Sequence, residues 1–223
     1  MNLSFINGHS RFIRHWIAIG AKWSFILLFA MLASGCGLGG KPAYLVKQYI
    51  FDYPSPTVEE GVRTNDLIKV ERFSIAKDFD THEMVYQDSP FHRGSDPYNR
   101  WRVNPNDMVT DFLLRDLRRA GLFRAVFSYN DSEDTRYLVE GWVDEFLELT
   151  GKDGRKGVLS LNVTLQDLTQ KEIVGKVVFQ RDYRYVESLE AATPEGLAQG
   201  MSRAMEKLSR QIIQDISRAL KNR

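Results

Sequence analysis

The stretch "RYLVEGWVDEFLELTGKDGRKGVLSLNVTLQDL", residues 136–168, decides the fold. In its second half Leu159, Leu161, Val163 and Leu165 alternate with Ser160, Asn162, Thr164 and Gln166. That period of two is the pattern of a strand with one buried face and one wet face. The first half is rich in aromatic and β-branched residues. The intervening "GKDGRKG" supplies the glycines of a tight turn. "DLTQKE", residues 167–172, is the next turn. Beyond it Gly175, Val177 and Phe179 alternate with Lys176, Val178 and Gln180. Residues 136–186 therefore read as a three-stranded meander.

On the N-terminal side, "NPNDMVTDFLLRDLRRAG" has the composition of a helix. Asn104 suits the N-cap, Pro105 the first helical position and Asp107 the positive end of the helix dipole. Val109, Phe112, Leu113, Asp116, Leu117 and Ala120 fall at helical spacing, with the aspartate as a polar exception. Arg118 and Arg119 sit in the last turn and Gly121 closes it. On the C-terminal side, Thr193, Pro194 and Glu195 open a long amphipathic helix. Its stripe is Leu197, Met201, Met205, Leu208, Ile212, Ile216 and Leu220. Arg203, Glu206, Arg210, Gln214 and Arg218 lie off that stripe. The methionines also suit an adaptable groove, but packing on the sheet is the preferred reading.

Further upstream the signals weaken. "AYLVKQYIFDYP", residues 43–54, "DLIKVERFSIA" and "HEMVYQD" read as strands. "SPFHRGSDPYNRW" reads as turns, through Pro90, Gly94 and Pro97, with brief pairing at its end. "LFRAVF" returns the chain to the sheet after the first helix. The sum is an α+β domain: a single, mainly antiparallel β-sheet packed against two α-helices, in the order strands, helix, three-stranded meander, long C-terminal helix.

The 223 residues carry 30 basic and 29 acidic side chains, a formal charge of +1. That balance argues against a nucleic-acid binder, which needs a clustered basic surface. Residues 1–35 contain Arg11, Arg14 and Lys22 and no acid, so the remainder holds 27 basic and 29 acidic residues. A basic leader, the apolar "WSFILLFAML" at 23–32 and then small residues follow the order of a secretory signal peptide. A transmembrane helix is the competing reading. It needs about 20 mostly apolar residues, and Lys22 interrupts this run.

Ser34, Gly35 and Cys36 resemble a bacterial lipobox, in which the cysteine becomes the acylated mature N-terminus, carrying chains such as palmitate. Ala33 stands where that pattern usually has Leu, with Leu32 one place earlier. Cys36 is the single cysteine, so no disulfide forms within the chain. Several acyl chains on one residue anchor firmly, where one binds only marginally. The expected organisation is a signal peptide at 1–35, a lipidated N-terminus and tether at 36–43, and a periplasmic domain at 44–223. By resemblance to Gram-negative lipoproteins, Gly37 rather than Asp after the cysteine implies outer-membrane sorting. "GLGG" lacks the spacing and the Lys of a phosphate loop and reads as a flexible tether. From Cys36 to Pro42 it reaches at most about 25 Å.

No catalytic constellation stands out. His82 and His92 sit ten apart in loops without cysteine or an HExxH pattern, which disfavours a metal site, and no cofactor is expected. Glu71, Asp78, Asp80, His82 and Glu83 form an acid-rich stretch in which an acid/base pair is weighed against a solvated loop.

"YLV" at 44–46, "MVYQ" at 84–87, "YNRW" at 98–101 followed by Pro105, "GLFRAVF" after Leu113 and Leu117, and "LSLNVTLQDLTQKEIVGKVVF" together resemble the ABC-type transport auxiliary lipoproteins, the PqiC-like family. The single proline after the tryptophan departs from a pattern that often has two. The resemblance implies a non-enzymatic, lipid-anchored protein on the periplasmic face of the outer membrane of a Gram-negative bacterium. Such proteins accompany an ABC permease and ATPase and an MCE-domain protein that spans the periplasm, in lipid transport that supports envelope integrity. It leaves homo-oligomerisation open. The rival expectation is a lipoprotein of another envelope assembly, such as a secretion channel or a peptidoglycan-linked complex. Tyr98, Arg100, Trp101 and Pro105 then have two readings: a structural corner with the indole buried, which is preferred, or a docking site for a partner.

Overall fold

The computed structural model describes residues 44–58 and 63–221. The signal segment, Cys36 and the tether expected above lie outside the described residues. At the centre of the fold stand β7 (Tyr137–Gly151) and β8 (Gly154–Asp167), paired antiparallel along their whole length. Lys152 and Asp153 form the two-residue tip, and Gly154 takes a φ of +96°, a conformation that favours glycine. Leu159, Leu161, Val163 and Leu165 are all fully buried. In β7 an irregularity between Val143 and Glu145 shifts the alternation, so that Phe146 rather than Glu145 faces Leu159 in the core. The strand β9 (Val177–Ser188) completes the meander on the far side of β8.

The other edge of β7 shows why the sheet is not mainly antiparallel. Along it, in order, lie β2 (Leu67–Val70), β3 (Ser74–Ile75) and β4 (Glu83–Ser89), each parallel to β7. The expected continuous strand "DLIKVERFSIA" is thus broken. At the break the Phe73 N–H donates to Thr110 Oγ1 (3.0 Å) and its carbonyl accepts from Asn106 Nδ2 (2.8 Å). Two buried side chains of the first helix satisfy the backbone groups that a neighbouring strand would have used. The Phe73 ring fills the space over Gly141, where a Cβ would come within 2.1 Å of it.

Outside β2 lies β6 (Ala125–Ser128), also parallel. Outside β4 lie β5 (His92–Trp101), antiparallel, and then β1 (Lys47–Tyr49), parallel to β5 at the sheet edge. Among the described residues five of the eight strand pairings are parallel, which corrects the expected antiparallel sheet to a curled mixed one containing the meander. The segment read as turns is the ten-residue strand β5. Gly94 gives room to the Tyr86 ring, 2.5 Å from where a Cβ would stand. Pro97 lies where the pairing jumps from Met84↔Asp96 to Glu83↔Arg100, a place that asks for no ladder N–H. The long first strand shrinks to Lys47–Tyr49 because Phe51 and Tyr53 leave the sheet and bury their rings.

The helices follow their sequence signals more closely. The first, α1 (Pro105–Ala120), ends at Gly121 with φ +64°. Asn104 makes no side-chain cap; its amide donates to Asp80 Oδ1 at 2.9 Å instead. A four-residue helix, α2 (Ile173–Lys176), replaces the expected start of the last strand. The long α3 (Pro194–Lys221) is capped by Thr193 Oγ1, which accepts from the Gly196 N–H at 3.1 Å. Its stripe from Leu197 to Ile216 is buried, with Leu220 partly so. It packs on β8 and β9, while α1 packs on β6, β3 and β7.

Candidate functional site

The "YNRW" segment ends β5. Alternation sends Trp101 inward and Tyr98 and Arg100 outward. Trp101 is 2% exposed. Its ring meets Phe146 edge-on at 5.2 Å and Phe51 at 6.1 Å, and Phe51 in turn meets Phe112 at 5.3 Å. Such edge contacts suit the aromatic quadrupole. No face of the indole is left for a partner. Pro105 is buried as the first residue of α1. Arg100 donates to Glu83 Oε1 (3.2 Å) and to the Pro97 carbonyl (3.0 Å), and Tyr98 is 44% exposed.

Beside this cluster the polar exception of α1 has its explanation. Asp116 is fully buried and accepts from Tyr53 Oη (2.8 Å), Ser55 Oγ (2.6 Å) and Arg115 Nε (2.9 Å). The Arg115 guanidinium lies over the rings of Tyr53 and Phe112, 4.4 and 4.3 Å from their centres. Burial, and then the charge and hydrogen bond of Asp116, push the Tyr53 hydroxyl far above its ordinary pKa. The carboxylate pins the 51–55 segment to the helix.

The acid-rich stretch does not converge. Asp78 pairs with Arg93 (2.7 Å) and Asp80 with Lys77 (3.1 Å). His82 Nδ1 contacts the Trp101 carbonyl at 3.3 Å, and Glu83 holds Ser95 and Arg100. Asp78, Asp80, His82 and Glu83 are thus each tied to different structural partners, and Glu71 lines a separate hollow. Among the described residues no group of His, Cys, Asp and Glu is arranged to hold a metal ion.

A cleft of about 330 Å³ opens where β4, the β7–β8 turn and the start of α3 meet, with Tyr86, Asp88, Asp96, Glu148, Arg155 and Leu197 among its walls. The Glu148 side chain is 9% exposed and pairs with Arg155 at 3.1 Å. Burial pushes its carboxyl above the usual range, and Arg155 opposes that shift. Asp88 is turned to His92 (2.9 Å), and Asp96 accepts from the backbone N–H of Tyr98 and Asn99. The cleft thus presents one ion pair on an apolar wall, a binding arrangement rather than a convergent acid and base. Sequence reading missed Glu148, because it lies beyond the irregularity that reverses the alternation of β7.

The helix-free face of the meander is the second candidate. Its polar side chains form a ladder: Asn162 donates to Asp182 (2.6 Å), Gln180 to Asn162 (3.0 Å) and Gln166 to Glu140 (2.6 Å), while Arg184 pairs with Glu145. Trp142 stands among them, 44% exposed, beside a hollow of about 440 Å³ that Glu71, Arg72 and Thr164 also line. Burial, then Asp182 and Glu145, raise the Asp144 carboxyl on the same strand. A preorganised polar sheet around one indole fits protein docking. The alternation of "VEGWVDE" carried that signal, since it places a tryptophan on the wet face.

A family model described as ABC-type transport auxiliary lipoprotein component matches residues 49–213. Among solved structures the chain is similar to a DUF330-family protein of Xanthomonas campestris, at 14% identity, covering 79% of this chain and 98% of that one with a TM-score of 0.72. It is also similar to an uncharacterized protein at 17% identity, covering 77% of this chain and 99% of that one with a TM-score of 0.60. A hypothetical protein of Chlamydia trachomatis is 10% identical, covering 69% of this chain and 96% of that one with a TM-score of 0.50. At such identities the likeness is one of fold. No curated protein matches the chain in sequence.

Proposed function

The chain belongs to the ABC-type transport auxiliary lipoprotein components, and from that premise we propose that it is a non-catalytic accessory of an ABC/MCE-type system moving lipids between the envelope membranes. In this reading Cys36 is acylated after removal of residues 1–35 and holds the domain at the periplasmic face of the outer membrane. The helix-free face around Trp142 receives the MCE-domain partner, and ATP work belongs to the permease-bound ATPase. The observation that carries the proposal is the family match across 49–213. The separated, structurally engaged carboxylates of the acid-rich stretch support a binding role over a hydrolytic one.

The test is genetic and chemical. Deleting the gene should raise sensitivity to detergent. The wild-type chain should restore resistance, and both Cys36→Ser and a folded Trp142→Ala variant should restore it poorly. A free thiol at Cys36 in the intact mass of the mature protein overturns the anchor. Full rescue by Trp142→Ala overturns the docking face.

A further inference from the structure

The sheet ends in an edge that no described element covers. β1 is the last strand in the order and pairs with β5 alone among the described residues. The register Gln48↔Arg100 places Val46 and Ile50 on the same face as Tyr98 and Arg100. This edge exposes large apolar side chains: Leu45 is 81% exposed, Ile50 52%, Tyr98 44% and Val46 43%. Lys47 and Arg102 flank them, both exposed, and neither forms an ion pair with another described residue. Arg100 is offset by Glu83. Two more acids lie near β1: Asp96, taken up by Asn99 and the backbone N–H of Tyr98, and Glu195 at the start of α3, whose charge acts on Tyr49. Aliphatic side chains, a tyrosine and unpaired cations on one edge form the composition that settles at a lipid headgroup layer.

Chain length points to the same occupant. Cys36 and Leu45 are nine residues apart in sequence, a reach of at most about 30 Å. A bilayer holding acyl chains on Cys36 therefore lies within reach of the residue where the apolar edge begins. A lipid anchor gains strength from a second membrane signal close to it.

We propose that the β1 edge, Leu45, Val46, Ile50 and Tyr98 with Lys47 and Arg102, is a membrane-contact surface that lies on the headgroups of the bilayer holding the anchor. This rests on the acylation of Cys36 for its geometry and goes beyond it, because it fixes which side of the domain faces lipid. The contact turns a tethered domain into an oriented one.

The test places a photocrosslinking side chain at Ile50, at Tyr98 and, as a control, at Arg210 on the exposed side of α3, in the full chain. Each purified protein is reconstituted in vesicles of two parts phosphatidylethanolamine to one part phosphatidylglycerol. After irradiation, intact mass reads both lipid adducts and the state of Cys36. The proposal expects phospholipid adducts from positions 50 and 98, at least fivefold more than from 210. It also expects a severalfold loss of adduct in a Lys47→Glu, Arg102→Glu chain. Absence of lipid adducts at 50 and 98 overturns it, whether Cys36 is acylated or not. So does crosslinking at these positions to a second copy of the chain in place of lipid. The mass of Cys36, read on the same sample, reports separately whether the anchor reading holds.

Discussion

Asp116 is an acidic residue, fully buried and mid-helix, yet it is accounted for: three donors converge on it. Removing one donor leaves a buried acceptor undersatisfied, which costs about 1–3 kcal/mol. Tyr53→Phe should therefore destabilise by about that amount in urea melts, and a change within error would show that the 51–55 segment is not pinned there. Trp101→Ala, which empties the centre of an aromatic cluster, should cost about 3–5 kcal/mol. Asp167 offers a pH test. Burial raises its carboxyl, but hydrogen bonds from Thr169 and Arg136 outweigh burial and hold it below the ordinary value. A lowered carboxylate stabilises the fold fully above its unfolded pKa, about 4, and loses that contribution as pH falls through the folded value. The stability gap between wild type and Asp167→Asn should therefore close as pH drops below about 4. A gap that stays constant there would contradict this. Asp116 was legible in the sequence as the polar exception on an apolar helix face. Its partners Tyr53 and Ser55 were not, because 60 or so residues separate them from it along the chain.

Elements whose identity is set by local periodicity could be read from sequence: β8 through Leu159, Leu161, Val163 and Leu165, and both long helices through their apolar stripes and end signals. Leu208 and Ile212 are fully buried under α3. Leu208→Ala or Ile212→Ala should cost about 2–5 kcal/mol. Arg210→Ala, paired with Glu206 on the exposed side, should stay within about 0.5 kcal/mol. The reverse order in urea melts would mean that the helix faces the sheet with another side. What sequence hid was pairing. Nothing local tells Leu67–Val70 to lie parallel to both β6 and β7, nor tells residues 92–101, with their glycine and proline, to form a strand. Gly94 and Pro97 signal turns by propensity. Here one makes room for a neighbouring ring and the other sits in a register jump, so tertiary demand overrides propensity.

At the scale of the whole molecule, an α+β fold hosts many activities, and the family match supplies what the geometry alone does not. The account joins three surfaces of one domain. A buried aromatic corner holds the sheet to α1; in the proposal an apolar edge faces lipid beside the anchor, and an open polar sheet centred on Trp142 receives a partner. On that proposal, anchoring would confine the domain and a periplasm-spanning partner to the same thin layer. A modest interface then suffices, because local concentration rather than intrinsic affinity sets occupancy. The central claim is the identity of that partner. The most direct measurement is photocrosslinking in intact cells from Trp142 and Thr164, with Arg210 as the control position, followed by mass identification of the captured protein. The account predicts capture of an MCE-domain protein from 142 and 164 but not from 210. Capture of a secretion-channel or peptidoglycan-bound component from those positions, with no MCE-domain protein, would contradict it.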